Sequence, residues 1–237
     1  MEMPEPVRHD WNLTPAQARA LQAELADKVD DRSRLNVTRI HRVLAVDVSM
    51  DRFADWLAAA VVVCDLKTRH VVDSASVAEP IRFPYVPGLL SFRELPPILK
   101  AIEKLTFEFD AIVVDGHGQA HPRGLGIASH LGLWLNVPTI GLAKSRLCGA
   151  FEEPLAEPGS TSPLILQGRK VGMALRTRKK AGPIFVSVGH KCRLEDALKL
   201  ALRLTDNRRI AWPVRAAHEA ANTARREHRV KLARPCG

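Results

Sequence analysis

The sequence has a single tyrosine, Tyr85, against seven Phe and four Trp, and aromatic residues make up only 5% of its 237 positions. Long apolar runs are missing. The longest, from Trp56 to Cys64, covers nine residues between Asp55 and Asp65, far short of the roughly 20 that a membrane-spanning helix needs. The segment Met1 to Pro6 carries neither the basic flank nor the apolar stretch of a secretory signal. Cys64, Cys148, Cys192 and Cys236 lie 84, 44 and 44 residues apart without a CxxC pair, a spacing that suggests neither a zinc site nor a disulfide framework. Together these absences predict a cytoplasmic protein with no membrane partner.

What is present is an ordinary globular composition, 46% hydrophobic and 26% charged, with an excess of base: 35 Lys and Arg against 26 Asp and Glu, a net of +9. The excess is unevenly placed. Residues 1–150 hold 17 basic and 18 acidic side chains, whereas residues 151–237 hold 18 and 8. A basic C-terminal third points to a polyanionic partner, nucleic acid above all. No long linker or internal repeat divides the chain, so a single domain over 1–237 is expected, and a monomer.

Thr14, Pro15 and Gln17 read as an N-cap, a first helical residue and a capping-box partner, and Leu21, Leu25 and Val29 continue an apolar stripe, which predicts a helix over 15–29. Three strand-like runs follow without a helix between them: Arg42 to Val48, Leu57 to Leu66 and His70 to Val77. They predict an antiparallel meander. Beyond Glu79 come helical segments at Leu89 to Glu94 and Pro97 to Leu105, a strand at Ala111 to Asp115, a helix at Gly124 to Leu135 and a strand at Thr139 to Ala143. After Pro158 a Gly/Ser/Pro loop leads to strands Lys170 to Leu175 and Ile184 to Val188, a helix Leu194 to Leu204, and a last helix opened by Pro213. A meander that feeds alternating helices and parallel strands predicts an α/β fold, a ribonuclease H-like mixed central sheet flanked by helices.

Asp47 and Asp115 each cap an apolar strand, VLAV and AIVV. Two such acids at one sheet edge repel unless a proton or a cation bridges them. Oxygen donors without paired His or Cys suit Mg²⁺, with Mn²⁺ as substitute, rather than zinc. The Asp115 segment continues Gly116, His117, Gly118, Gln119, Ala120, His121, and its small residues let backbone amides approach a phosphate or a base. His117 and His121 have zinc-helix spacing, but the glycines and Pro122 oppose a helix there and the Glu of HExxH is missing. Tyr85 stands between Pro84 and Pro87, stiffened on both sides, where an aromatic can wedge between bases.

The runs FPYVPGLLSFRE (83–94), VDGHGQAHPRGLGIASH (114–130) and VPTIGLAKSRLCG (137–149), with Asp47 in AVDVS and His218 in VRAAHEA, resemble the endonuclease V family, the deoxyinosine 3′ endonucleases. The resemblance runs in order from about Thr14 to Arg226. It implies metal-dependent cleavage of DNA containing deoxyinosine at the second phosphodiester bond 3′ to the lesion, leaving 3′-hydroxyl and 5′-phosphate ends. By the same resemblance Asp47, Glu94 and Asp115 hold the metal, His218 stands beside it and Lys144 reaches the reacting phosphate. Pro84, Tyr85, Val86 and Pro87 form the wedge, and Gly88, Leu90, Gly116, His121 and Gly141 line the pocket for the flipped base. Two departures stand out: Ser145 replaces a second lysine common in the family, and Ser49 to Trp56 carries no family signature. An inosine-specific endoribonuclease and a non-catalytic nucleic-acid-binding module are the alternatives to be separated from this reading.

Overall fold

Apolar residues alternate between the two faces of a mixed sheet, and each face is roofed by helices. The computed structural model describes residues 5–233, so Met1 to Pro4 and Cys236 lie outside it. The elements run α1 (Pro15–Ala26), β1 (Arg42–Ser49), β2 (Trp56–Asp65), β3 (His70–Pro80), α2 (Leu90–Ile102), β4 (Ala111–Val114), α3 (Ile127–Leu135), β5 (Thr139–Ala143), β6 (Thr161–Leu166), β7 (Arg169–Leu175), β8 (Ile184–His190), α4 (Leu194–Arg203) and α5 (Trp212–Ala233). The strands form one sheet in the order β3-β2-β1-β4-β5-β8-β7-β6. The β1–β2–β3 meander is antiparallel, and β1, β4 and β5 are parallel, as the sequence predicts.

Residues two apart share a layer, and their immediate neighbours face the opposite one. Val43, Ala45, Ala111 and Val113 pack under α4 and α5 with Ala197, Leu200, Val214 and Ala217. Leu44, Val46, Ile112 and Val114 pack under α2 and α3 with Leu95, Ile98, Ala128 and Leu131. Outside that second layer α1 rests Ala18 on Phe83, Leu89 and Phe92, and Leu25 on Leu125 and Leu133.

The structure corrects four details of the sequence reading. The first helix stops at Ala26, because Lys28 and Val29 turn back to Leu25 and Ala26 in tight i→i+3 bonds, although Val29 still packs against the core. The two segments around Pro96 and Pro97 are one helix, α2. Each interior proline withholds an N–H and costs about 3 kcal/mol, but burial of Phe92, Leu95, Ile98 and Leu99 offsets this at roughly 1.5–3 kcal/mol per side chain. The third helix begins at Ile127 rather than Gly124, whose φ of +72° is left-handed. The loop after Pro158 includes the strand β6, whose Ser162 and Leu164 point inward, and Pro163 is tolerated because β6 is a sheet edge. Among the described residues no helix is long and apolar enough to cross a membrane.

Candidate active site

The C-terminal ends of β1, β4 and β5 share one edge because the three strands run parallel, and the chain order turns there, from β1 toward β2 on one side and toward β4 on the other. Crevices at such turning points are favoured ligand sites in open α/β sheets. Asp47 lies near the end of β1, Asp115 directly follows β4, and Lys144 directly follows β5. Glu94 arrives from the α2 layer, on the helix face that also carries Ser91, Leu95 and Ile98. His218 arrives from α5 in the opposite layer.

Two pairs are in contact, and Glu94 lies within reach of their charges. His218 Nδ1 is 2.7 Å from Asp47 Oδ2, and the Lys144 ammonium forms an ion pair with Asp115 Oδ2. Burial, then the charges of Asp47 and Asp115 against that of Arg93, pushes the Glu94 carboxyl up to about 8. Asp47 is also raised, first by burial, with the His218 hydrogen bond opposing and the charge of Asp115 adding to it. Burial first, and then the mutual repulsion of the carboxyls, thus favours the protonated forms of Glu94 and Asp47. A raised carboxyl destabilises the fold as pH climbs from its ordinary value near 4.5 through 8, because the folded state alone must hold the proton. Glu94→Gln is therefore expected to stabilise the metal-free protein by about 3 kcal/mol more at pH 8 than at pH 5. Urea unfolding of both proteins in EDTA at the two pH values checks this, and an equal effect at both would show that charge is not the cause.

His218 is held by more than Asp47. Along the same flank Ser49 Oγ is 2.8 Å from Asn222 Oδ1, Arg225 donates to the Met50 carbonyl at 3.3 Å, and Arg225 pairs with Asp51 at 3.1 Å. Residues 218, 222 and 225 repeat at helical spacing, so one face of α5 is laced to the end of β1.

Tyr85 caps the loop between β3 and α2. Phe83 and Leu89 are buried against Phe92 and Ala18, with Val86 packed beside them, while Pro84 and Pro87 are exposed, Leu90 is 39% exposed and Tyr85 is 70% exposed. Gly88 turns the loop with a φ of +78°, and its carbonyl accepts from Gln22 of α1 and from Arg123. His121 is buried beside Gly88, accepts the Arg123 N–H at Nδ1, and is held down to about 4 by burial and then by the Arg123 charge, so its ring is neutral.

The 116–121 loop is packed backbone on backbone. A Cβ on Gly141 would lie 2.5 Å from the Gly116 carbonyl oxygen, and one on Gly118 would lie 1.9 Å from that of Val188. Gly141 thus supports the loop from below, and Gly116 and Gly88 are the more open of the three. Two groups escaped the sequence reading. Arg93 Nε and His117 Nδ1 are buried without a hydrogen-bond partner. His117 Nε2 sits 2.9 Å from the Ser145 carbonyl and so must carry the ring proton, which leaves Nδ1 a bare acceptor. Their adjacency to Glu94 and Asp115 was the only available signal. Among the described residues no three His, Cys, Asp or Glu side chains stand close enough together, as placed, to hold a metal ion.

A family model for Endonuclease V matches residues 23–219. Endonuclease V of Gloeobacter violaceus is 48% identical over 221 residues, 92% of this chain and 89% of its own length. The crystal structure of Endonuclease V from Streptomyces avermitilis superimposes with a TM-score of 0.88 at 41% identity, covering 94% of this chain and 98% of that one. Endonuclease V of Ciona intestinalis, solved in complex with a 24mer DNA containing an inosine followed by a ribo-adenosine, gives 0.78 at 27% identity over 90% and 98%. With its acids gathered at the sheet edge and its likeness sustained over nearly the whole chain, the protein belongs to the endonuclease V family of phosphodiester-cleaving nucleases.

Proposed function

We propose that the chain is a metal-dependent DNA repair endonuclease that recognises deoxyinosine and hydrolyses the second phosphodiester bond 3′ to it, leaving 3′-hydroxyl and 5′-phosphate ends. The observation that carries this reading is that Asp47, Glu94 and Asp115 stand at one sheet edge, near enough for their charges to act on one another, with the glycine-rich loop following directly on Asp115. The inosine in the DNA bound by the Ciona relative supports the lesion assignment.

The donor set suits a hard divalent cation, Mg²⁺ or Mn²⁺: it is all carboxylate, and a bound cation would offset the repulsion that Asp47 and Asp115 add to the burial of Glu94. Asp47, Glu94 and Asp115 would hold the ion, which when bound lowers the pKa of a water and neutralises charge on the phosphoryl oxygens. Lys144, paired with Asp115, is placed to transfer its charge to the reacting phosphate. His218 keeps Nδ1 on Asp47 and leaves Nε2 on the half-exposed side of its ring, where it can orient the attacking water.

Hypoxanthine offers an acceptor at O6 and a donor at N1. Backbone amides and carbonyls around Gly88, Leu90 and Gly116 can pair with both, and the weak pairing of inosine lowers the cost of flipping it. Tyr85 fills the gap left in the stack. Tyr85→Ala is expected to weaken binding to inosine DNA by roughly ten- to a hundredfold, as loss of one aromatic stacking contact does. Fluorescence anisotropy on a labelled duplex measures it, and unaltered affinity would defeat the wedge role.

The ribo-adenosine beside the inosine in the Ciona complex favours a second reading, an inosine-specific endoribonuclease. End-labelled strands with one deoxyinosine or one inosine, incubated with Mg²⁺ and then with EDTA, separate the two. A metal-dependent nick one bond beyond the lesion's 3′ neighbour in the deoxy strand is the expected result. Failure to nick either strand overturns both readings.

A further inference from the structure

The segment between β1 and β2, which carries no family signature, ends in an aromatic that the fold leaves uncovered. Phe53 is 91% exposed and holds a φ of +70°, a left-handed conformation that a bulky side chain adopts rarely and at a cost. The Arg52 guanidinium sits 4.9 Å from the centre of its ring. Both feet of this loop are fixed. On one side Met50 and Asp51 are tied to Arg225, and the Ala54 amide closes a turn on the Asp51 carbonyl. On the other, Trp56 packs edge-on against His228 at 4.5 Å, and the Asp55 carbonyl accepts the Ile81 amide at 2.7 Å. A tethered loop that presents a strained, exposed aromatic beside a cation is built for contact.

Its position says with what. Across the edge the glycine-rich loop follows β4, the acids lie between β1 and β4, and Phe53 stands over β1 and β2. A strand with its flipped base at the glycine-rich loop and its scissile phosphate over the acids continues toward Phe53. Resting on the function proposed above, we infer that Phe53 stacks on a nucleotide 3′ of the cleaved bond and that Arg52 meets the adjoining phosphate. The loop is a second nucleic-acid contact, on the far side of the acids from the lesion pocket. Stacking of a base on an aromatic is tolerant of sequence, so this contact adds affinity without adding base preference.

The test compares wild type, Phe53→Ala and Phe53→Trp on two deoxyinosine duplexes, one extending ten nucleotides 3′ of the cleaved bond and one ending a single nucleotide beyond it. Phe53→Ala is expected to raise KM roughly tenfold on the long duplex, with a smaller effect on kcat. Phe53→Trp should restore it, and the difference should vanish on the short duplex. Phe53→Gly, which accepts the positive φ freely, should behave like Phe53→Ala, so that loop strain is separated from lost stacking. Equal KM for wild type and Phe53→Ala on the long duplex overturns the contact. An equal loss on both duplexes overturns its 3′ placement. Absence of nicking by the wild type fails the proposed function itself, a different result from either.

Discussion

Asp115→Ala is expected to reduce strand nicking by about 10³-fold or more, some 4 kcal/mol of transition-state stabilisation, while lesion binding changes by only a few-fold. The asymmetry follows from what Asp115 touches. Its partner is Lys144, and its charge also acts on Glu94 and Asp47, so on the proposed function its loss would remove one of three anchors for the cation while it frees Lys144 from its ion pair. The proposed lesion pocket and wedge rest instead on contacts among Gly88, Gln22, Arg123 and the packed glycines. Removing an anion near the DNA backbone also favours association with a polyanion. Single-turnover cleavage and anisotropy binding on the same duplex give the two numbers. Undiminished cleavage rules out Asp115 as a metal ligand, and Asp115→Asn, which keeps the volume and removes the charge, separates charge from shape.

The second large effect is acid lability. His121 and His190 are held down to about 4 and His130 to about 3, in each case first by burial, with positive charge from Arg123, Lys191 and His9 respectively adding to it. All three are neutral in the fold near pH 7, and two accept backbone N–H groups at Nδ1, from Arg123 to His121 and from Asp30 to His190. The unfolded chain takes up protons near pH 6.5, so stability is complete above that value and is lost as pH falls toward 4. By pH 5 each ring costs about 2 kcal/mol. Glu94 works in the opposite sense, since its penalty shrinks on acidification, and returns about 2 kcal/mol. The net loss expected between pH 7 and 5 is roughly 3–4 kcal/mol, a large share of a typical fold's 5–15. Urea titrations at the two pH values measure it. His190→Asn, which keeps an acceptor near Nδ1 but cannot be protonated, should flatten the dependence, and an unchanged slope would remove His190 from the account.

The sheet was readable because its central strands are continuous apolar runs broken by turns, and Asp47 and Asp115 were readable because each interrupts such a run at its end. Glu94, Lys144 and His218 lie on a helix, a loop and another helix. Only their likeness to family motifs singled them out, since nothing in local spacing says that three distant segments converge. The proline pair at 96 and 97 hid the continuity of α2, whose integrity depends on tertiary burial that a local pattern does not express. β6 was obscured by Pro163, which an edge strand accepts. For the orphaned Arg93 Nε and His117 Nδ1 the sequence offers only adjacency to Glu94 and Asp115, because a missing partner is a property of the surrounding atoms.

The lacing of α5 to β1 also has a consequence for how and when the enzyme becomes one. The bond from His218 to Asp47 spans 171 residues and that from Asn222 to Ser49 spans 173, so the last helix made must dock on the first strand made. Contacts of such sequence separation form late, and during synthesis the amino-terminal elements emerge well before α5. A nascent or prematurely terminated chain can therefore build much of the sheet and the glycine-rich loop while it still lacks His218, the partner of Asp47. On the proposed function, the order of the elements along the chain acts as a safety catch, in which the cutting site is assembled only once α5 has docked.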